Sequence, residues 1–369
     1  MKYKDLNHQN NHSRAGRAQY GLTLKVVVGI LGLALFFWGL KLLVTPVVGA
    51  FASLLQDSTT SISYLLTQQK IRQEDGVTNF LIAGVDTRAS GGQALTDTLI
   101  LGSFRHTDNQ ISLISLPRDL WIQIPEFGQV AAHFTKINSA YSLGEQYNYP
   151  GGGIALLKQV LTEHLGIPIQ YYALSDFVGF EQFVDNVGGV DVYVEQAFVD
   201  YQYPRAGFED GPWAERWEVV DFEQGWQHMN GETALKYARS RHAYGLEGSD
   251  FARARRQQKV VVALKDKITA SETLFNPNRL KELYLTFNHQ VQTDVGLTEI
   301  PLIYNTAQQA SDLSQVQSHV LDNNPYDEDG LLYVPDASNF GGAFVLLPRE
   351  GWETVQEFIR DTLYLPEQL

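Results

Sequence analysis

Between Lys236 and Lys259 the chain reads KYARSRHAYGLEGSDFARARRQQK, which sets Lys236, Arg239, Arg241, Arg253, Arg255, Arg256 and Lys259 against only Glu247 and Asp250. The whole chain carries a formal charge of -14. Cations crowded in this way repel unless something anionic sits among them. Arginine predominates, and its planar fork suits two-point contact with phosphate. The stretch points to a phosphate or pyrophosphate site, against the plainer reading of a basic helix face paired with the chain's many acids. Arg239 and Arg241 alternate, so on extended backbone they would share a face. Asp250 and Arg253 lie three apart at the expected start of a helix, where a phosphate would also meet free backbone N–H groups.

Two more constellations could serve the same chemistry. Asp86 follows the apolar run NFLIAGV, Asp97 stands at the start of the next run, and TRASGGQAL joins them. Carboxylates on neighbouring strand ends can converge on one hard cation, and magnesium is held by one or two carboxylates with substrate phosphate completing the shell. Solvated or capping aspartates are the bland alternative. Arg118 and Asp119 follow ISLISLP, where Pro117 stops a strand. Ligands of open α/β sheets bind at the carboxyl ends of strands, although an Arg-Asp pair there can equally be a local salt bridge. Metal-hydrolase and serine-hydrolase chemistries find little support, and cysteine chemistry none. Gly151–Gly153 is not followed by Gly-Lys-Ser/Thr, HExxH and GxSxG are absent, the nine histidines are scattered, and there is no cysteine.

Apolar runs at 79–85, 98–104, 111–116, 171–174 and 191–194 read as strands. Helical spacing marks 152–165, 177–186, 230–238 and 251–268, with Asn230 as an N-cap. A late strand pair is expected at 331–334 and 344–347, after a turn-rich acidic loop at 322–330, and an amphipathic helix at 352–362. This mixture predicts an α/β fold, a layered sheet with helices on both faces. The acidic balance argues against general nucleic-acid binding.

The N-terminus reads as a membrane anchor. A basic tail at 1–21 precedes an apolar stretch at 22–44, flanked by Lys25 and Lys41. Its length is near the ~20 residues a helix needs to cross a bilayer. Basic residues before the span put the N-terminus in the cytoplasm and the remainder outside. A cleaved signal peptide ending near Ala50–Ala52 is the competing reading, and it leaves the bulk outside as well. Residues 45–75 then form a juxtamembrane linker.

Taken in order, FLIAGVDTR at 80–88, TDTLIL at 96–101, SLISLPRDLWIQIP at 112–125, KINSAYSLG at 136–144, DNVGGVDVYV at 185–194, and GWQHMNGETALKYARSRH with DFARARRQQ resemble the LytR-CpsA-Psr family. The resemblance covers about 76–262 and implies a catalytic domain over 76–270, with 271–369 completing or flanking it. It implies a layered α-β-α domain with a central mixed sheet and a hydrophobic tunnel for a prenyl tail. The implied activity is a membrane-anchored, extracytoplasmic phosphotransferase. It would move a glycopolymer from a polyprenyl-pyrophosphate carrier to a peptidoglycan acceptor, through a phosphodiester. By position, Asp86 and Asp97 match the family's Mg2+ carboxylates. Arg118, Arg239, Arg241 and Arg253 match its pyrophosphate arginines, and Asp250 the acid that partners them. Leu95 stands where the family often has an arginine, a contact that Arg88 could supply instead. Asp97 or Asp119 would assist deprotonation of the acceptor. A polyprenyl-pyrophosphate hydrolase and a non-catalytic lipid-phosphate binder or regulator are the rival readings.

Overall fold

The computed structural model describes residues 70–86, 94–205, 207–208, 211–269, 291–296, 299, 302–303, 306, 316–321 and 330–365. The apolar stretch at 22–44, Arg88 with its loop and most of the 322–330 turn lie outside the described residues. Among those described, no helix is long and apolar enough to cross a membrane.

In chain order the strands are β1 (Val77–Asp86), β2 (Leu95–Arg105), β3 (Gln110–Ser115), β4 (Trp121–Ile124) and β5 (His133–Lys136). Helices α1 (Ala140–Gln146) and α2 (Gly152–Leu165) follow, then β6 (Tyr171–Asp176), α3 (Phe177–Asn186), β7 (Val190–Val194), β8 (Phe198–Pro204), β9 (Trp217–Phe222) and β10 (Gly225–Met229). Next come α4 (Gly231–Arg239), α5 (Asp250–Thr269), β11 (Val291–Thr293), β12 (Gln317–Val320), β13 (Leu332–Tyr333), β14 (Leu347–Pro348) and α6 (Trp352–Tyr364). The main sheet is six-stranded and mixed, in the order β11-β6-β1-β2-β3-β12. β1 runs antiparallel to β2 and parallel to β6; β3 runs parallel to β12. The expected mixed sheet is therefore present, and two of its strands, β11 and β12, come from beyond residue 270.

Strand alternation decides what each face meets. Leu81, Ala83 and Val85 of β1, with Leu99 and Leu101 of β2, are buried in one core with Ile154, Leu157 and Leu161 of α2 and Val355, Ile359 and Leu363 of α6. Thr98 is next to Leu99 and so faces the other way, where α5 lies. Gln257 donates to Thr98 Oγ1 at 3.0 Å. Gln258 donates to Ser115 Oγ at 2.9 Å and His319 O at 2.7 Å. A second core, containing Val184, Val190, Val192, Met229, Tyr237 and Val260, joins α3, α4 and α5 to the smaller strand pairs. The sheet thus has helices on both faces.

Caps and close contacts set the helix ends. Asp176 accepts from Gly179 N, and Asn230 from Thr233 N, each cap contributing about 1 kcal/mol. The triple glycine serves packing rather than phosphate. A Cβ on Gly144 would lie 2.6 Å from Gly153 Cα, and one on Gly153 would overlap Tyr141 O, so α1 and α2 approach backbone to backbone.

Ahead of β1 the chain is clasped to the sheet. Arg72 Nε lies 3.1 Å from Glu299 Oε1, and its Nη1 3.2 Å from Asp294 Oδ2. Its backbone N–H donates to Tyr171 Oη at 2.8 Å, and its guanidinium lies 3.8 Å over the Tyr171 ring.

Candidate active site

The carboxyl end of β1 and the following turn of β3 bring the candidate residues together. Gly84 pairs with Thr98 and Val85 with Thr96, which leaves Asp97 as the extra residue of a β-bulge. A bulge re-aims the side chain it inserts. Here Asp97 Oδ1 accepts from Arg118 Nη1 at 2.9 Å. Asp97 therefore lies within β2 rather than at its start, because β2 begins at Leu95. Leu95 pairs directly with Asp86. Arg239 Nη2 lies 3.8 Å from Asp86 Oδ2.

Arg118 sits just past β3, on a tight turn in which Leu120 N–H donates to Pro117 O at 3.3 Å. Its Nε lies 3.6 Å from Asp119 Oδ2, beyond good hydrogen-bond reach, and is a buried donor without a partner. Asp119 Oδ1 in turn accepts from Lys136 Nζ at 2.6 Å, so β5 braces the turn. Burial works against the charged guanidinium, but Asp97 and Asp119 outweigh it and raise the Arg118 pKa.

Arg239 is the last residue of α4, not part of an extended run, because the helix continues until Ser240 leaves it with φ -54° and ψ 133°. Its guanidinium lies 3.9 Å over the Phe177 ring and donates to Tyr203 Oη at 3.3 Å. Arg241 is exposed, and its backbone is fixed by Asp200. That fully buried carboxylate accepts from Arg241 N at 3.0 Å, His242 N at 3.2 Å and Gln202 N at 2.9 Å. Asp250 and Arg253, on the first turn of α5, form an ion pair at 2.8 Å. Burial pushes the Arg253 pKa below the ordinary arginine range. Asp250 and Asp97 pull it up; Arg118 and Arg241 push it down. Arg118, Arg241, Asp97 and Asp250 thus all surround Arg253 closely enough to act on it.

Lys236, Lys259 and Arg256 of the cationic stretch are structural, whereas Arg255 is exposed. Lys236 pairs with Glu218 and Glu232, and Lys259 with Glu195. Arg256 is buried and donates to Tyr237 O, Ser240 O, Glu247 O and Glu247 Oε2. Lys136 and Asp200 are positioning residues that the sequence reading missed. Lys136 stood in a noted motif without a role, and Asp200 lies in no motif at all.

A family model described as the LytR_cpsA_psr family matches residues 50–340. The chain belongs to this family. Regulatory protein MsrR of Staphylococcus aureus (strain COL) is 34% identical over 204 residues, 55% of this chain and 52% of that protein. The chain therefore spans about half the length of the curated relatives of that name. The polyisoprenyl-teichoic acid–peptidoglycan teichoic acid transferase TagU of Enterococcus faecalis is 27% identical over 312 residues, 81% of this chain and 90% of that one. The crystal structure of Bacillus subtilis TagV superposes with a TM-score of 0.56 at 24% identity, covering 80% of this chain and all of that one. That likeness shows the shared fold.

Proposed function

We propose that this chain is a phosphotransferase that moves a glycopolymer from a polyprenyl-pyrophosphate carrier to peptidoglycan, forming a phosphodiester outside the cell, where its 22–44 stretch anchors it to the membrane. One observation carries this reading: Arg118, just past β3, and Arg241 both lie within electrostatic range of Arg253 on α5, with the Arg118 Nε proton unmatched. Cations held together at that cost need a polyanion. The similar TagU of Enterococcus faecalis, a polyisoprenyl-teichoic acid–peptidoglycan teichoic acid transferase, supports the choice of donor and acceptor.

Phosphoryl transfer depends chiefly on positioning and charge neutralisation. Asp86 and Asp97 fit Mg2+ in chemistry, since both offer oxygens only and come from paired strands. Among the described residues no third acidic or histidine ligand joins them, so substrate and water oxygens would complete the shell. When bound, Mg2+ would supply neutralisation of pyrophosphate charge. The arginines do the same for the transferred and leaving phosphates, with Arg239 steadied on Phe177 and Arg253 by Asp250. The acceptor hydroxyl attacks the phosphorus that carries the glycan. The bond to the bridging oxygen breaks, and polyprenyl monophosphate leaves. Asp119 is bridged by Lys136 and Arg118, and Asp97 is held by Arg118, so both carboxylates fix that guanidinium, and one of the two receives the hydroxyl proton. Phe80 and Ile82 of β1 are half-buried and alternate with the core residues Leu81 and Ala83. They offer apolar wall for the tunnel of this reading, where each buried CH₂ contributes about 0.8 kcal/mol.

The test incubates the full chain with a lipid-linked oligosaccharide pyrophosphate, Mg2+ and peptidoglycan fragments, and seeks the phosphodiester product by mass spectrometry. Product from the parent and none from Arg118→Ala supports the transferase. Released polyprenyl monophosphate without joined product would make the chain a hydrolase. Donor that stays bound and intact would make it a lipid-phosphate binder.

A further inference from the structure

The lobe that carries Arg241 also carries an apolar rim. Tyr244 is 86% exposed, Leu246 80%, Trp213 66% and Val219 61%. An isolated exposed apolar residue is ordinary; a contiguous set needs an explanation. Here local structure gathers the set. Residue Ala243 bridges to Asp200, which lays the 241–249 loop along β8. The β8–β9 ladder shifts register between Asp200 and Tyr203, so Tyr201 bulges out opposite Val219. Tyr201 then meets Tyr244, with ring centroids 5.7 Å apart. Trp213 packs on Trp217 at 5.2 Å, and Trp217 on His242 at 6.2 Å. The 241–249 loop thus meets both groups, with Tyr244 against Tyr201 and His242 against Trp217, and Tyr244 stands three residues along the chain from Arg241.

We infer that this rim, centred on Tyr244 and Leu246, rests on the phospholipid bilayer at the boundary between headgroups and acyl chains. Tyrosine and tryptophan mixed with leucine is the composition favoured at that depth. The inference rests on the transferase reading, in which the donor is a lipid whose anionic pyrophosphate lies at the level of the headgroups. An arginine site that shares a loop with an apolar rim is complementary to that arrangement: cations meet the phosphate while the rim meets the carbon. The chain allows it. Asp86 lies roughly 30 Å along β1 from the Val77 end, near which the described chain begins. Residues 45–69 reach up to roughly 80 Å when extended, ample for the site to turn toward the surface that holds residues 22–44. Glu215 and Asp221 are exposed beside the rim, so the contact is apolar rather than an attraction to anionic lipid, and added salt should leave it in place.

The full chain has no cysteine, so single-cysteine variants carry a nitroxide cleanly. Leu246→Cys and Val219→Cys report on the rim; Phe134→Cys and Phe344→Cys, exposed elsewhere, are references. In phosphatidylcholine–phosphatidylglycerol vesicles, the rim labels should show a several-fold higher ratio of oxygen to nickel-chelate collisions than the references, unchanged by added salt. Depths of ~5–10 Å below the headgroups are expected. Equal ratios at all four sites would overturn the inference, as would spin–spin broadening at 246, which would mean that a second copy covers the rim. The paired change Tyr244→Asp and Leu246→Asp should slow turnover of a long-chain donor in vesicles several-fold and leave a short-chain soluble donor unaffected. If the parent turns over neither donor, the transferase reading fails while the depth measurement still decides the docking.

Discussion

Replacing Asp200 with asparagine tests whether a buried carboxylate holds the arginine loop in place. All three bonds to its carboxylate come from backbone N–H groups, at 2.9–3.2 Å, and the residue is wholly buried. In Asp200→Asn the side-chain oxygen can keep Arg241 and His242, but the new NH₂ group must then face the Gln202 N–H, donor against donor. One charge-assisted bond is lost, about 1.5–3 kcal/mol, and a buried donor goes unmatched, about 1–3 kcal/mol. The expected loss is about 3–5 kcal/mol. For a domain of this size about 1 kcal/mol shifts the melting temperature by roughly 2–3 °C, so unfolding should come roughly 6–15 °C earlier. The remaining bonds, made to a neutral oxygen, hold Arg241 less firmly, so the KM for the lipid donor should rise more than kcat falls. Thermal unfolding of the full chain in detergent, followed by donor titration, reads both effects. A variant that melts within about 2 °C of the parent and binds donor as well would refute the reasoning.

Lys136→Met should lower donor turnover roughly tenfold, since one charge-assisted bond to Asp119 is lost, with partial rescue by Lys136→Arg; an unchanged rate would remove Lys136 from the site. Gly153→Ala should destabilise by at least about 2 kcal/mol, because the added carbon overlaps Tyr141 O across the α1–α2 contact; denaturant titration checks this. Burial lowers the pKa of His106 and of His319 below the ordinary 6.5. The unfolded chain then binds more protons than the folded one, so stability should fall as the pH drops through about 6.5, with no contribution from these groups well above it. Melting curves from pH ~7 to ~5 should show that slope, and His106→Gln with His319→Gln should flatten it.

How far the sequence foretold the site varied with the range of the forces involved. Arg118 was readable because an apolar run ends at Pro117, a local event that puts the next residue at a strand's edge. Helices α2 and α3 were readable because their apolar spacing spans whole turns. Asp97 was misjudged because a bulge depends on the register between two strands, which neither strand encodes alone. The shared face of Arg239 and Arg241 was conditional on extended backbone, and the condition fails at Arg239 because α4 runs through it and ends only at the backbone of Ser240. Arg256 looked like the other arginines of its stretch, and only the carbonyls that converge on it show that it is structural. β4 and β5, with four residues each, are too short for their alternation to stand out, and so the lysine brace that they supply went unassigned.

The clasp at Arg72 has a mechanical consequence. Any pull on the chain ahead of residue 70 meets Arg72 before it meets β1, because Arg72 is bound to Asp294, Glu299 and Tyr171. Asp294 Oδ1 accepts from Tyr172 N–H, and Asp294 Oδ2 lies near Lys158 Nζ. Load is therefore shared by β6 and α2 with β1, to which Arg72 is also joined because its carbonyl accepts from Thr78 Oγ1 at 2.9 Å. The strand that ends in Asp86 thus bears only part of the tension, which helps the two carboxylates keep their spacing when the chain ahead of residue 70 is pulled.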